Sequence, residues 1–104
     1  MIKLGVLGST NGTDLQAILD AINRKIIKAS VNIVISNKKN SYILERAKKH
    51  GVNSQYISHK GKSRIEFDQE VTNLLIKNKV DLVLLIGFMR ILSDEFCQNW
   101  RDKI

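Results

Sequence analysis

The chain alternates between short apolar runs and longer segments in which apolar residues recur every three or four positions. Short apolar runs bounded by turn residues are typical of buried strands, and the wider spacing is typical of amphipathic helices. The runs predict four strands, at Ile2–Leu7, Val31–Ser36, Asn53–Ile57 and Asp81–Ile86. The spaced segments predict four helices, at Thr13–Lys25, Tyr42–His50, Ser63–Lys77 and Ser93–Trp100.

Strict alternation of strands and helices predicts an α/β fold. We expect a three-layer, Rossmann-like open parallel sheet of about four strands flanked by helices, and a single domain over residues 1–104. In such a sheet the loops that follow the strands gather at the carboxyl edge, where ligands bind. The loops that converge there are GSTNGTD, SNKKNS, SHKGKS and GFMRILS.

The first of these loops is a candidate anion site. The backbone N–H groups of Gly12, Thr13 and Asp14 open the first helix, where the helix dipole also favours negative charge. Gly12 has no Cβ and so permits a close approach of backbone and ligand. The loop lacks both the G-x-G-x-x-G pattern and the P-loop lysine, which favours a monophosphate over a dinucleotide or ATP. The alternative, equally weighted on these residues, is that Thr13 or Asp14 merely caps the helix.

The fourth loop combines apolar side chains with a cation. Phe88 and Met89 precede Arg90, and an apolar slot beside a guanidinium suits a flat ring system that carries carboxylates. The alternative, which these residues by themselves favour, is an ordinary corner between a strand and a helix, with the large side chains packed into the core.

Charge and apolar content limit the partners. The chain has 17 Lys and Arg against 10 Asp and Glu, a net charge of +7, which favours anionic ligands. The lysines are dispersed and aromatic residues are few, so we expect no nucleic-acid partner. Apolar runs are too short for a membrane span and the N-terminus lacks the layout of a secretory signal, so we expect no membrane partner and a cytoplasmic location.

Metal and disulfide chemistry are not expected. Cys97 is the single cysteine, which excludes an internal disulfide and a cysteine-based zinc site. Its place in a predicted helix interior indicates an inert, packed thiol. His50 and His59 have no neighbours at metal-ligand spacing, so no metal site is predicted.

Four segments occur in an order and spacing that resemble a known enzyme family. They are TNGTDLQAILDA, ISNKKNSYILERAKKHGV, the SR of KSRIEFDQE, and DLVLLIGFMRILSDEF. Together they resemble the N-terminal half of phosphoribosylglycinamide formyltransferase, a folate-dependent enzyme of de novo purine synthesis. The resemblance implies the formyltransferase fold and transfer of a formyl group from 10-formyltetrahydrofolate, as co-substrate, to the glycine amine of 5-phosphoribosylglycinamide.

The resemblance also implies roles for particular residues. Gly12, Thr13 and Asp14 match the loop that binds the substrate phosphate, and many members have Asn at the position of Asp14. Arg64 matches a position that contacts 10-formyltetrahydrofolate. The segment that lines the pterin pocket is matched by Met89, Arg90, Ile91 and Leu92.

The catalytic groups of the family have no counterpart in this chain. The family uses an Asn-x-His segment and a later Asp, which are expected beyond Ile104. Leu82–Ile86 is apolar on both faces, as a central strand is, but it lies at the edge of a sheet of four strands, where an apolar strand is a pairing hazard. We therefore expect a part of a longer enzyme that is inert by itself. The alternative is a non-catalytic anion-binding module that oligomerises through the open sheet edge.

Overall fold

The computed structural model describes residues 1–58, 60–88, 94–101 and 103–104. Its strands are β1 (Ile2–Gly8), β2 (Ala29–Ser36), β3 (Ser54–Tyr56) and β4 (Leu82–Ile86). Its helices are α1 (Thr13–Asn23), α2 (Tyr42–Lys49), α3 (Arg64–Lys77) and α4 (Asp94–Asn99). All eight elements that the hydrophobic pattern predicts are present, with ends that differ from the predicted ones by at most two residues.

The strands form one parallel sheet with the order β3-β2-β1-β4. Because side chains alternate between the faces of a strand, neighbouring residues of β1 enter different layers. Val6 packs against α1 and α2 on one face, and Leu7 packs against α3 and α4 on the other. The predicted three-layer, Rossmann-like architecture is confirmed.

Each face of the sheet has its own apolar cluster. The cluster beneath α1 and α2 contains their buried side chains together with strand residues; its members are Val6, Leu15, Leu19, Val34, Ile43, Leu44, Ala47 and Ile86. The opposite cluster includes Phe67, Val71 and Leu75 of α3 and Phe96 of α4. The two central strands are therefore buried on both sides, as strands of a parallel sheet usually are.

Two helices differ from the predicted pattern. Helix α1 ends at Asn23 rather than Lys25, because Arg24 is its C-cap and Lys25 takes a left-handed backbone with φ of 60°. In α3 the residues Phe67, Val71 and Leu75 are buried at four-residue spacing, whereas Ile65 is 50% exposed. Ile65 lies two positions before Phe67, about 200° away around the helix, so it cannot share the buried face.

The prediction of a packed thiol at Cys97 is wrong, since this side chain is exposed. Phe96 of α4 and Trp100, just after this helix, are both buried, with ring centroids 6.3 Å apart. Cys97 follows Phe96 by one residue, so its side chain points about 100° away from the buried face and toward solvent.

Strand β4 lies at the edge of the described sheet, as expected. It pairs with β1 along its length, and on its other side the N–H of Val83 donates to the carbonyl of Lys103. Burial along β4 is uneven: Val83 and Ile86 are buried, but Leu85 is 46% exposed. The strand is apolar on both faces, yet the described part of the chain covers only about half of the Leu85 side chain.

Candidate functional site

The loop between β1 and α1 leaves backbone donors free at the carboxyl edge of the sheet. Gly12 is the N-cap of α1 and has φ of 71° and ψ of 34°, and no side chain caps this helix. Neither Thr13 nor Asp14 makes a capping hydrogen bond, so the alternative in which either residue caps α1 is wrong. The N–H groups of residues 12–14 donate to no acceptor among the described residues. These donors remain available to an anion.

Packing against Ile43 requires a glycine at position 12. A Cβ at this position would lie 2.5 Å from Cγ1 and 2.9 Å from Cβ of Ile43, the second residue of α2. The absent side chain at Gly12 leaves space for Ile43, and not only for a ligand as the sequence predicts. The positive φ of Gly12 adds a second reason for glycine, since other residues rarely adopt that backbone.

Helix α2 fixes the shape of this loop. The N–H of Ile43 donates to the carbonyl of Thr10 at 3.1 Å, and Nε of Arg46 donates to the carbonyl of Asn11 at 2.6 Å. The Arg46 guanidinium also lies over the Tyr42 ring, 4.7 Å from its centroid. Sequence reasoning missed Arg46, because nothing local to ERAKK indicates that its side chain reaches a loop 35 residues earlier.

The end of β4 meets the same loop. The N–H of Ser9 donates to the carbonyl of Gly87 at 3.2 Å. Gly87 has φ of 60°, and a Cβ there would lie 2.5 Å from Oγ1 of Thr10. The first and fourth loops are therefore neighbours, as the parallel topology predicts.

The cofactor residues are described only in part. Phe88 stacks on Phe67 of α3, with centroids 6.4 Å apart and planes at 21°, so for Phe88 the core-packing alternative is the correct one. The remaining predicted residues of this loop lie outside the described residues; they are Met89, Arg90, Ile91 and Leu92.

Arg64 is the first residue of α3 and is exposed. Ser63 caps the helix by accepting from the N–H of Glu66 at 3.1 Å. No carboxylate in the described part of the chain pairs with Arg64. A cation at a helix N-terminus opposes the helix dipole, so helix stability does not explain this residue. Its position suits contact with an anionic ligand.

The charged groups around Tyr42 change its acidity. Nζ of Lys49 donates to the Tyr42 hydroxyl at 2.6 Å, and this hydrogen bond, with the charge of Lys49, lowers the pKa of the phenol from its ordinary value. His50 is the C-cap of α2, and its Nε2 lies 3.0 Å from Nε2 of Gln16 in α1. Over the described ranges, no three His, Cys, Asp or Glu side chains form a group that could hold a metal. Within the same ranges no helix is long and apolar enough to cross a membrane.

Comparison with known proteins identifies the family. A family model described as formyl transferase matches residues 2–104, so the chain belongs to the formyl transferase family. The chain is 39% identical over 105 residues to phosphoribosylglycinamide formyltransferase of Haemophilus influenzae, covering 100% of this chain and 50% of that protein. It is 40% identical over 103 residues to the human trifunctional purine biosynthetic protein adenosine-3, covering 98% of this chain and 10% of that protein.

Solved structures give the same result for the fold. Glycinamide ribonucleotide transformylase 1 from Symbiobacterium toebii superposes with a TM-score of 0.95 at 38% identity, over 100% of this chain and 50% of that one. The resemblance to phosphoribosylglycinamide formyltransferases indicated by the sequence motifs is confirmed. The chain spans about half the length of the bacterial relatives that it matches.

Proposed function

We propose that this chain provides the substrate-phosphate and folate-binding loops of a phosphoribosylglycinamide formyltransferase. The complete reaction transfers the formyl group of 10-formyltetrahydrofolate to the glycine amine of 5-phosphoribosylglycinamide. The main support is the start of α1, where the N–H groups of Gly12, Thr13 and Asp14 have no acceptor among the described residues. Three N–H groups at a helix start match the acceptor oxygens of one phosphate.

The neighbouring residues support a second ligand on the same edge. Gly87 brings the fourth loop against the phosphate loop, and Arg64 is an exposed cation with no carboxylate partner in the described chain. A guanidinium suits the carboxylates of a folate. We propose Arg64 for that contact and the segment Met89, Arg90, Ile91 and Leu92 for the pterin.

The chemical step needs groups that we assign outside this chain. The amine attacks the formyl carbon, and the tetrahedral intermediate collapses with loss of the folate nitrogen, which takes up a proton. This step needs an oxyanion stabiliser and a proton shuttle. The Asn-x-His segment of the family is absent from this sequence. We therefore expect this chain alone to bind its ligands without turnover.

The experiment uses the carboxylate beside the proposed phosphate. Asp14 lies in the first turn of α1, so its negative charge opposes phosphate binding. We expect Asp14→Asn to tighten 5-phosphoribosylglycinamide binding about three- to fivefold in calorimetric titrations, since the lost repulsion is about 1 kcal/mol in a water-like dielectric. Asp20→Asn is the matched control, because Asp20 is on the same helix but two turns away. Equal affinities in both variants and the parent chain would contradict the assignment of the phosphate to this loop.

A second candidate function rests on the edge of the sheet. Leu85 of β4 is 46% exposed, which favours pairing of this edge with a second copy of the chain. In this alternative the chain is a non-catalytic anion-binding module that oligomerises through β4. It would bind phosphate without selectivity for folate.

A further inference from the structure

A second cleft opens at the carboxyl edge, on the side of β1 away from β4. It has a volume of about 570 Å³ and is formed by the loops that follow β1, β2 and β3. We call it the basic cleft. Its lining contains no carboxylate in the described part of the chain, and consists of Ser9, Asn37, Lys38, Lys39, Asn40, Ser41, Tyr56 and Lys60.

The lysines of the basic cleft carry uncompensated charge. Lys38, Lys39 and Lys60 are exposed, and none forms an ion pair within the described chain. Lys62, on the same loop as Lys60, is by contrast neutralised by Glu70 at 2.8 Å. Three unpaired cations around one concave surface create a positive potential that attracts anions.

Asn37 is a buried donor that lacks an acceptor. The residue is 6% exposed, and its Oδ1 accepts from Oγ of Ser9 at 2.6 Å. Its Nδ2 donates to no described residue, yet this atom is not sealed from solvent, so it opens onto the cleft that Asn37 lines. An N–H₂ group that opens onto a basic cleft can donate to a ligand with acceptor oxygens.

Two serine side chains hold the backbone of the loop that carries Asn37, Lys38 and Lys39. Oγ of Ser36 accepts from the N–H of Lys38 at 3.1 Å, and Oγ of Ser41 donates to the carbonyl of Lys38 at 2.9 Å. The carbonyl of Lys38 is thus occupied, and the side chains of Asn37 and the lysines are left to face the cleft. A backbone that is already held loses less entropy on binding than a mobile loop does.

We propose that the basic cleft is an oxyanion site that binds the phosphate or carboxylate group of a small molecule. Nδ2 of Asn37 donates the buried hydrogen bond, and the ammonium groups of Lys38, Lys39 and Lys60 supply the charge. The site differs from the one proposed at the start of α1, since Gly12, Thr13 and Asp14 do not line the cleft, although Ser9 of the same loop does.

Nuclear magnetic resonance of the ¹⁵N-labelled full chain tests this proposal. Inorganic phosphate and glutarate are titrated separately at constant ionic strength, because salt screens exposed charges. We expect a saturable shift of the Asn37 side-chain N–H₂ signals with at least one anion. Tighter binding of phosphate indicates a phosphoryl ligand, and tighter binding of glutarate indicates a carboxylate ligand. The Gly12 amide reports the β1–α1 loop separately, so failure at the cleft leaves that proposal intact.

Two double lysine substitutions distinguish binding in the cleft from a general effect of net charge. We expect Lys38→Gln with Lys39→Gln to raise the dissociation constant read at Asn37 about tenfold, as loss of charge-assisted contacts does. Lys28→Gln with Lys77→Gln removes the same charge from exposed positions outside the cleft and should change the constant less than about twofold. The proposal is overturned if the Asn37 signals do not shift, or if both pairs weaken binding equally.

Discussion

Gly12 has a left-handed backbone, with φ of 71°, and Ile43 fills the space that its side chain would need. Arg46 then ties down the preceding residue by donating to the Asn11 carbonyl at 2.6 Å. The conformation of the phosphate loop therefore depends on α2 as well as on the loop itself. The sequence predicted that Gly12 is needed, because glycine at a strand-helix turn is informative. It could not predict Ile43 or Arg46, since both act through the tertiary packing of two helices.

The first prediction concerns Gly12. Replacement by Ala adds a strained backbone, about 1–2 kcal/mol, and an overpacked contact, typically about 1–3 kcal/mol. Gly51 is a matched control, since its φ is 69° and nothing lies within 4 Å of its Cβ position. We expect urea unfolding to give a loss of about 2–5 kcal/mol for Gly12→Ala and about 1–2 kcal/mol for Gly51→Ala. Equal losses would mean that Ile43 does not constrain the loop.

The second prediction concerns the acidity of Tyr42. The hydrogen bond from Lys49 favours the phenolate and so lowers the pKa of Tyr42, with a further contribution from the charge of Arg46. Lys49→Gln removes the largest cause, so the pKa should rise toward the ordinary value of 10.0. Absorbance titration at alkaline pH measures this, in a Tyr56→Phe background that leaves one tyrosine. Lys48→Gln is the control. A pKa that stays low in Lys49→Gln would refute the assignment.

At the scale of elements, hydrophobic spacing predicted every helix and strand, mostly because the element buries an apolar stripe or run. Strand β3 is the exception, since its Gln55 and Tyr56 are exposed and it is held by pairing with β2. It predicted ends less well, since Lys25 and Arg24 stop α1 through backbone conformation that apolar spacing does not encode. Helix α3 is the element whose start matters most for the site. Ser63 caps it and Arg64 follows at once, so the cap places the exposed guanidinium at the carboxyl edge.

The third prediction concerns this cap. Ser63→Ala removes the acceptor for the N–H of Glu66, and loss of an N-cap costs about 0.5–2 kcal/mol. Ser63→Asp retains a side-chain acceptor and should unfold close to the parent chain. Urea unfolding of the three proteins measures the difference. If Ser63→Asp is destabilised as much as Ser63→Ala, the side-chain cap is not what stabilises α3.

At the scale of the whole molecule, the order β3-β2-β1-β4 places the phosphate loop between the fourth loop and the basic cleft. The convergence of these loops followed from the sequence, because strict strand-helix alternation fixes which ends of the strands meet. The basic cleft could not be predicted from the sequence. SNKKNS has the composition of a polar loop, and only the structure shows that Asn37 is buried. The edge position of β4 also followed from the sequence. In the structure it leaves the apolar side chain of Leu85 partly exposed to solvent.

The fourth prediction concerns that edge. If β4 pairs with a second copy, Leu85→Lys should weaken association about tenfold or more, because it removes buried apolar area and adds charge to the edge. Ile26→Lys is the control, since Ile26 is 69% exposed and lies outside the sheet. Sedimentation velocity over a concentration series measures both variants. A parent chain that stays monomeric, or equal effects of the two substitutions, would exclude association through β4.

The central claim is that the start of α1 binds the phosphate of 5-phosphoribosylglycinamide. Titration of the ¹⁵N-labelled chain with this ribonucleotide tests it most directly, with the backbone amides of Gly12, Thr13 and Asp14 as reporters. The account predicts saturable shifts centred on these three amides, because their N–H groups become hydrogen-bonded to the phosphate. Shifts that leave these amides unchanged, or that are confined to Asn37 and the lysines of the basic cleft, would contradict it.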